Sequence, residues 1–579
     1  MKLELQKGSR SKILSALVFV IMGIFVARLF YLQIIQHDYY VGVASTEQVK
    51  RLTIPPKRGL IYALDGTTPV PLVMNQTVYT VFADPQTVTD SGKVVDVVRR
   101  VAGGNARADL QALLDKKDSR YQVLATKVTR VQADKIKAED LNGVGFQEQS
   151  QRVYPEVGLA AQTLGFVDFE GVGQYGVEGG LNDRLTGKAG LLQSVTDVSD
   201  VPLTIGDGNI NRPAVDGDNI VLSIDRNIQS KAEQALADGL KAADVDRGSV
   251  IVMDPQSGRV MAMANLPTYK PAEFSQVQDA SAFNNAVVSV PYEPGSDIKT
   301  LTMATGIDKG VVRPDSTYNN TDYMKIDDRM ISNYSLGHTG IITFQEALNY
   351  SLNTGFVTVL ERLGDGKSIT KEARETMYDY FHNRFRLGRT TGIELANEAA
   401  GTIISPAETE GNAVRYSNMA FGQGMDITMV QVASAFCSLV NGGNYYTPTV
   451  VAGVLDKNGD IKENSVPAPS NPITNSTASQ MREMAHTVRS TLFGYLDKPG
   501  YYIGGKTGTS QVLKNGVYVD TETIGTYLGY GGSAELSRYV IMIQVSGDNK
   551  AMFGSYNAAP IFTDISNWML DYLKIQPKG

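Results

Sequence analysis

The segment EPGSDIKTLTMATG, residues 293–306, sets a hydroxyl at Ser296 and an amine at Lys299 where Pro294 and Gly295 give way to an apolar-periodic run. A serine hydroxyl is a weak nucleophile until a base takes its proton. On a helix, residues three apart share a face within side-chain reach. Lys299 can therefore act as the base, provided that burial and nearby positive charge hold it as a free amine. Ser351 and Asn353, in ITFQEALNYSLNTGFVTVL, add a hydroxyl able to relay a proton and an amide able to hold both the lysine and a substrate amide. Lys506, Thr507, Gly508 and Thr509 follow the strand YYIGG. Lys506 would supply positive potential to Lys299, and the two threonine hydroxyls beside it suit a carboxylate. Gly505 and Gly508 would leave room for a peptide along the strand edge. A helix starting at Ser296 points backbone N–H groups at a developing oxyanion. This is the chemistry of acyl transfer through a serine ester.

Each pattern is common alone. Ser-x-x-Lys also occurs at Ser9–Lys12 and Ser368–Lys371, and Ser-x-Asn again at Ser555–Asn557; Lys-Thr-Gly occurs once, at 506–508. Only Ser296–Lys299, Ser351–Asn353 and Lys506-Thr507-Gly508 run in that order within one expected domain, on a helix start, a helical stretch and a strand end. That setting makes the triple specific.

The elements that must carry these residues can be read from hydrophobic period. NIVLSID (219–225) reads as a strand and RNIQSKAEQALADGLKAA as an amphipathic helix. GSVIVMDPQSGRVMAMAN (248–265) reads as a hairpin about a PQSG turn. Helices are predicted at 297–308, 343–363, 371–385 and 427–441. YYIGGKTGTSQ, TYLGYGG and YVIMIQVSG then return to strand, and PIFTDISNWMLDYLK closes as a helix. The order predicts an α/β (α+β) sandwich with a mostly antiparallel sheet. NSVPAPSNPITNS (464–476) reads as a surface loop.

At 579 residues the chain needs several modules. GDGNINRPAVDGDN (206–219) reads as a hinge. The division expected is a tail at 1–12, an anchor at 13–35, a strand-rich domain at 36–215 and the chemical domain at 216–579. ILSALVFVIMGIFVA (13–27) and LFYLQII (29–35), joined by Arg28, would span about 34 Å as a helix, enough to cross a bilayer. Lys2, Lys7, Arg10 and Lys12 precede it, which keeps the N-terminus cytoplasmic and exports the rest. A cleaved signal is the rival reading, but the small residues Gly42-Val43-Ala44 lie far from the apolar core.

The formal charge of −7, without a block of one sign, argues against nucleic acid as a partner. Cys437 is the only cysteine and sits in an apolar run, so it reads as a buried small residue. His37, His338, His382 and His486 are scattered without ligand spacing. No metal site, cofactor or histidine triad is expected.

With these residues assembled, the chain resembles the class B penicillin-binding proteins, membrane-anchored peptidoglycan D,D-transpeptidases. RGLIYALDG (58–66) and the block RVYPEVGLAAQTLGFVDFEGVGQYGVEGGLNDRLTGKAG (152–190) resemble the family's pedestal, or dimerisation, region. VMDPQSGRVMAMANLPTYKP (252–271), YEPGSDIK and MAFGQGMDITMVQVASAF (419–436) follow the transpeptidase domain in order. The resemblance implies Ser296 as acyl-enzyme nucleophile, Lys299 as its base, Ser351 and Asn353 as second motif, and Lys506, Thr507, Gly508 and Thr509 as third. The backbone N–H groups of Ser296 and Thr509 would form the oxyanion hole. The substrate would be a stem peptide ending in D-Ala-D-Ala, and β-lactams would acylate the same serine.

The resemblance further implies a separate SEDS-family glycan polymerase and division proteins as partners, since no glycosyltransferase region lies between anchor and pedestal. Glu293 before Pro-Gly-Ser favours a division role over elongation. A β-lactam-hydrolysing or sensing protein and a catalytically silent scaffold of wall synthesis are the alternatives. Two departures stand out. Asp297 occupies the position after the nucleophile where many members have Thr; it reads first as a first-turn carboxylate complementing the helix dipole and pointing away from Lys299, with a role in the site as the alternative. RGLIYALDG also lacks the Asp-Arg pair usual before its last acidic-Gly element.

Overall fold

The computed structural model describes residues 7–40, 49–195, 210–465, 467–514 and 517–578. It divides into two units, Met1–Arg58 with Thr186–Gly217, and Gly59–Leu185 with Asp218–Gly579.

The first unit carries the helix Lys7–Phe30, continued by a wide turn at Tyr31–Ile35. Ser11–Ile35 is the one helix among the described residues long and apolar enough to cross a membrane, and none of its most apolar window is buried in protein. Three antiparallel strands complete this unit, Gly190–Val195 lying between Val49–Ile54 and Ile210–Arg212. The expected hinge at 206–219 falls partly outside the described residues, as do residues 1–6 of the expected tail.

In the second unit the site is carried by a five-stranded antiparallel sheet of β1 (Arg247–Met253), β2 (Val260–Leu266), β3 (Tyr502–Lys514), β4 (Val517–Gly532) and β5 (Ser537–Ser546), in spatial order β2-β1-β5-β4-β3. The predicted hairpin at 248–265 is β1–β2, and Gly258 turns it at φ +74°. Both faces of the sheet are covered, which explains the continuous apolar runs of β1, β2 and the middle of β5. Val250, Val252, Ile541 and Ile543 pack with Ile228, Leu236, Phe562 and Met569, from helices α1 (Arg226–Ala243) and α7 (Ala559–Tyr572). Their neighbours Ile251, Met253, Val540 and Met542 join the larger core on the other face.

That larger core is built round α2 (Lys299–Asp308), with α3 (Phe344–Asn349), α4 (Asn353–Arg362), α5 (Met429–Val440) and α6 (Asn475–Phe493). Every residue of α2 from Lys299 to Ile307 is buried, and so is every residue of α5. Cys437 is among them, and burial pushes its thiol well above the usual range.

A second sheet runs Ile461–Glu463, Val451–Leu455, Ile220–Asp225, Ile61–Asp65, Thr68–Ala83 and Gln122–Thr129, with Val144–Val153 also paired to Thr68–Ala83. It joins chain segments from both sides of residue 215. Beyond it, Val94, Val98, Leu110, Leu114, Leu124 and Ile136 form a small core of their own.

Two helical expectations need correction. The stretch 343–363 is not one helix: α3 ends at Asn349, and α4 begins at Asn353. The stretch 371–385 is an α-helix only over Lys371–Tyr378, then a wide π-type turn at Asp379–Arg384. In the first case the cause lies in the site, as described below.

Arg489 shows what holds α6 against the sheet. It is wholly buried, bonded to both Asp497 oxygens at 2.9 and 2.7 Å, to the Tyr527 hydroxyl at 3.1 Å and to Thr563 Oγ1 at 2.7 Å. Arg489→Met strands the Asp497 carboxylate, and breaking a buried pair costs about 3–5 kcal/mol. The lower end applies, because Asp497 keeps some contact with water. Urea unfolding in detergent should show a lower midpoint at unchanged slope.

Candidate active site

Ser296 lies in a single 3-10 turn, Gly295–Ile298, and α2 starts only at Lys299. The apolar run thus becomes an α-helix three residues later than the site's first hydroxyl. The turn is fixed by close backbone approach. Gly295 has φ +61°, donates its N–H to the Gly422 carbonyl at 2.9 Å, and a Cβ there would meet the Thr509 carbonyl at 2.8 Å. At Gly422, with φ +96°, a Cβ would fall 1.8 Å from the Gly295 carbonyl oxygen. Only glycine fits either place. Glu293 steadies the same turn from outside, accepting from the Gly424 N–H at 2.7 Å and the Tyr518 hydroxyl at 2.9 Å.

The two lysines converge on one hydroxyl. Lys299 Nζ lies 2.7 Å from the Ser351 carbonyl, 2.7 Å from Asn353 Oδ1 and 3.1 Å from Ser351 Oγ. Lys506 Nζ lies 3.0 Å from the same Ser351 Oγ, and donates to the Thr507 carbonyl at 2.9 Å. A free amine at Lys299 has two hydrogens, matched by the carbonyl and the amide oxygen, which leaves its lone pair for a hydroxyl. Ser351 can reach both amines because the chain breaks there: it sits in left-handed backbone at φ +58°, between α3 and α4. A left-handed residue other than glycine costs of order 1–2 kcal/mol, and α4 resumes at once with Asn353.

Burial, and then the charge of Lys506, holds the Lys299 amine well below the ordinary lysine range. Lys506 is itself pushed down by burial, opposed by the carboxylate of Asp297. Asp297 is pushed up by burial, with Thr526 and Lys506 opposing. It does not lie at the surface as a dipole-complementing acid would: it is 0% exposed.

β3 is an edge strand, and Ser296, Lys299, Ser351, Asn353, Thr507 and Thr509 all line one cleft of about 890 Å³ beside it. The Lys506 amine lies behind that wall, its residue only 2% exposed. Thr509 Oγ1 accepts from the Gly554 N–H at 3.4 Å. The glycines of β3 serve internal packing rather than the entry of a peptide. A Cβ at Gly505 would meet the Tyr527 ring and hydroxyl, and one at Gly508 would meet Thr526 and Asp297. Their expected role as open space is therefore corrected.

Several contributors escaped the sequence reading. Asn353 Nδ2 donates to the Ser332 carbonyl at 2.8 Å, at the end of the hairpin Tyr323–Ile326/Arg329–Ser332. This uses one of the two Nδ2 hydrogens and leaves the other for a substrate carbonyl. Asn333 accepts from the Thr354 N–H at 3.0 Å and donates to Asn320 and Asp322, each at 3.0 Å. These buried groups tie the hairpin to the first turn of α4. Nothing in a lone Asn announces such a network. Tyr334 and Tyr556, 86% and 80% exposed, also line the cleft.

A family profile described as penicillin binding protein transpeptidase domain matches residues 248–567. The chain belongs to the penicillin-binding proteins. A second profile, the penicillin-binding protein dimerisation domain, matches residues 53–222, so the class B pairing of modules is present. Stage V sporulation protein D of Bacillus subtilis is 29% identical over 581 residues, covering 98% of this chain and 87% of that protein. The probable peptidoglycan D,D-transpeptidase PenA of Neisseria meningitidis serogroup A is 26% identical over 577 residues, with 98% and 94% covered. Penicillin binding protein 2X from Streptococcus thermophilus shares the fold with a TM-score of 0.73 at 22% identity, over 91% of this chain and 80% of that one. The sheet sandwiched by helices is thus this family's fold.

Proposed function

We propose that this penicillin-binding protein is a serine-type D,D-transpeptidase that cross-links peptidoglycan stem peptides and is acylated by β-lactams. The observation that carries the reading is the Ser351 hydroxyl held between two buried amines, 3.1 Å from Lys299 and 3.0 Å from Lys506, on the wall of the cleft that holds Ser296. Lys299 as a free amine takes the Ser296 proton as Oγ attacks the penultimate D-Ala carbonyl. The tetrahedral oxyanion meets the backbone N–H groups of Ser296 and Thr509. Lys299 returns the proton through Ser351 to the departing D-Ala nitrogen, leaving an ester on Ser296. An amine from a second strand then attacks the ester, and the same groups carry its proton in reverse. Thr507 and Thr509 on the cleft wall receive the terminal carboxylate, with the charge of Lys506 behind them. The Ser296 hydroxyl makes no hydrogen bond among the described residues; contacts of this kind commonly tighten once substrate is bound.

Names of relatives such as the Neisseria protein support the substrate class. The basic residues Lys2, Lys7, Arg10 and Lys12 ahead of the apolar helix support a single-pass reading with a cytoplasmic tail at 1–12, an anchor at 13–35, and an exported pedestal, 36–215, and transpeptidase domain, 216–579. A SEDS-family polymerase and division proteins are the partners this arrangement suits, with Glu293 favouring septal work.

Labelled penicillin tests the reading. The adduct is expected to persist for many minutes, and mass spectrometry of the digest to place it on the peptide containing Ser296. Release within seconds would make the protein a β-lactamase; failure to label at all would make it a scaffold.

A further inference from the structure

Asp297 has no part in the steps above, yet it is the acid nearest to them. Both carboxyl oxygens are buried, and among the described residues the Thr526 hydroxyl is the only hydrogen-bonding group set against them. The side chain enters the space left by the missing side chain of Gly508, where a Cβ would lie 3.0 Å from the carboxyl carbon and from Oδ2. Residues 506 and 508 share one face of β3, so this carboxyl lies on the Lys506 side of the strand. Lys506 spends its donors on neutral oxygens, Ser351 Oγ and the Thr507 carbonyl and hydroxyl. A buried ammonium with only neutral partners would shed its proton.

The titratable groups facing Asp297 are Lys506 on β3, Tyr527 on β4 and Tyr292 ahead of the turn. Lys299 stands beyond Lys506, and Arg489 on α6 bonds Tyr527. Among the described residues the Tyr292 hydroxyl is buried without a partner and Thr526 reaches only the carboxyl, so no closed hydrogen-bond network accounts for the acid. Among the described residues Lys506 is the only cation that acts on it.

We propose that Asp297 is the counter-charge of Lys506, a positioning residue that keeps Lys506 an ammonium so that Lys506 can meet a substrate carboxylate and hold Lys299 as a free amine. Charge then alternates in function along Asp297, Lys506 and Lys299. The carboxylate raises the proton affinity of Lys506, and the resulting ammonium lowers that of Lys299. The inference rests on the acyl-enzyme reading of Ser296.

Asp297→Asn keeps the shape and removes the charge; Asp297→Thr removes the charge with less bulk. The rate of acylation by a fluorescent penicillin is measured for each from about pH 5 to about pH 10, the span in which lysine amines depressed by burial titrate. In the wild type the alkaline limb reports loss of the Lys506 proton. In both variants that limb is expected to move to lower pH by about one unit or more, a tenfold or greater loss of rate on the alkaline side. Both variants also leave the buried Lys506 amine without its counter-charge, so thermal midpoints are expected to fall modestly. Superimposable pH profiles would overturn the inference while leaving the acyl-enzyme reading intact. A wild type that is never acylated would instead sink the reading on which it rests.

Discussion

Ser296→Ala is expected to fold normally and to form no covalent adduct with labelled penicillin. The residue sits in a turn whose geometry is set by Gly295 and Gly422, not by the serine side chain, so removing one oxygen leaves the scaffold in place. It also leaves nothing to acylate, since Lys299 Nζ is engaged by Ser351 and Asn353. The other Ser-x-x-Lys pair beyond the membrane helix provides the control. Ser368 bonds to Asp365 in a loop, and Lys371 lies exposed, 3.6 Å from Glu375. Ser368→Ala should label as the wild type does. Gel fluorescence after a saturating dose reads both; an adduct on the Ser296 variant would remove the assigned nucleophile.

Lys299→Gln is expected to retain noncovalent penicillin binding and lose acylation by about 10²–10⁴-fold, the range for a positioned general base. Each tenfold is about 1.4 kcal/mol of barrier. The pH dependence distinguishes loss of the base from loss of shape. In the wild type the amine is depressed by burial and by Lys506, so the rate is expected to fall as pH drops through that lowered value. The glutamine variant has no proton to gain there, and its acid limb should flatten. Lys506→Met removes the neighbouring charge, so Lys299 binds its proton more tightly and the acid limb should move to higher pH. Stopped-flow acylation across pH reads both shifts. An unaltered acid limb in the glutamine variant would take Lys299 out of the chemistry.

Much of this site was legible because its residues are bound to local structure. A hydroxyl and an amine three apart at a helix start, and a cation at a strand end, are patterns a single chain segment can specify. The sandwich was legible for a similar reason: β1 and β5 are apolar at alternate positions on both faces, which only a doubly covered sheet allows. The break at Ser351 was not, because ALNYSLNTGF has full helical periodicity and the left-handed residue is imposed by tertiary bonds to two lysines. Asp297 was misread for the same cause. Its i+1 position turned it from Lys299, as expected, but what lay on that side was β3 rather than water. The Asn320–Asn333–Thr354 network depends on contacts between residues up to 34 apart, and no local period encodes it.

α2 is enclosed on every side by core, so the helix that bears Lys299 offers no position from Lys299 to Ile307 where a change of volume would go unfelt. The opposite wall of the cleft is made from short strands and loops around 330–335 and 551–556, where sequence drift is tolerated. Reactivity and ligand preference are thereby housed in separate materials, one rigid and one plastic. A lineage under antibiotic pressure can reshape what enters the pocket without disturbing the machinery that breaks the bond.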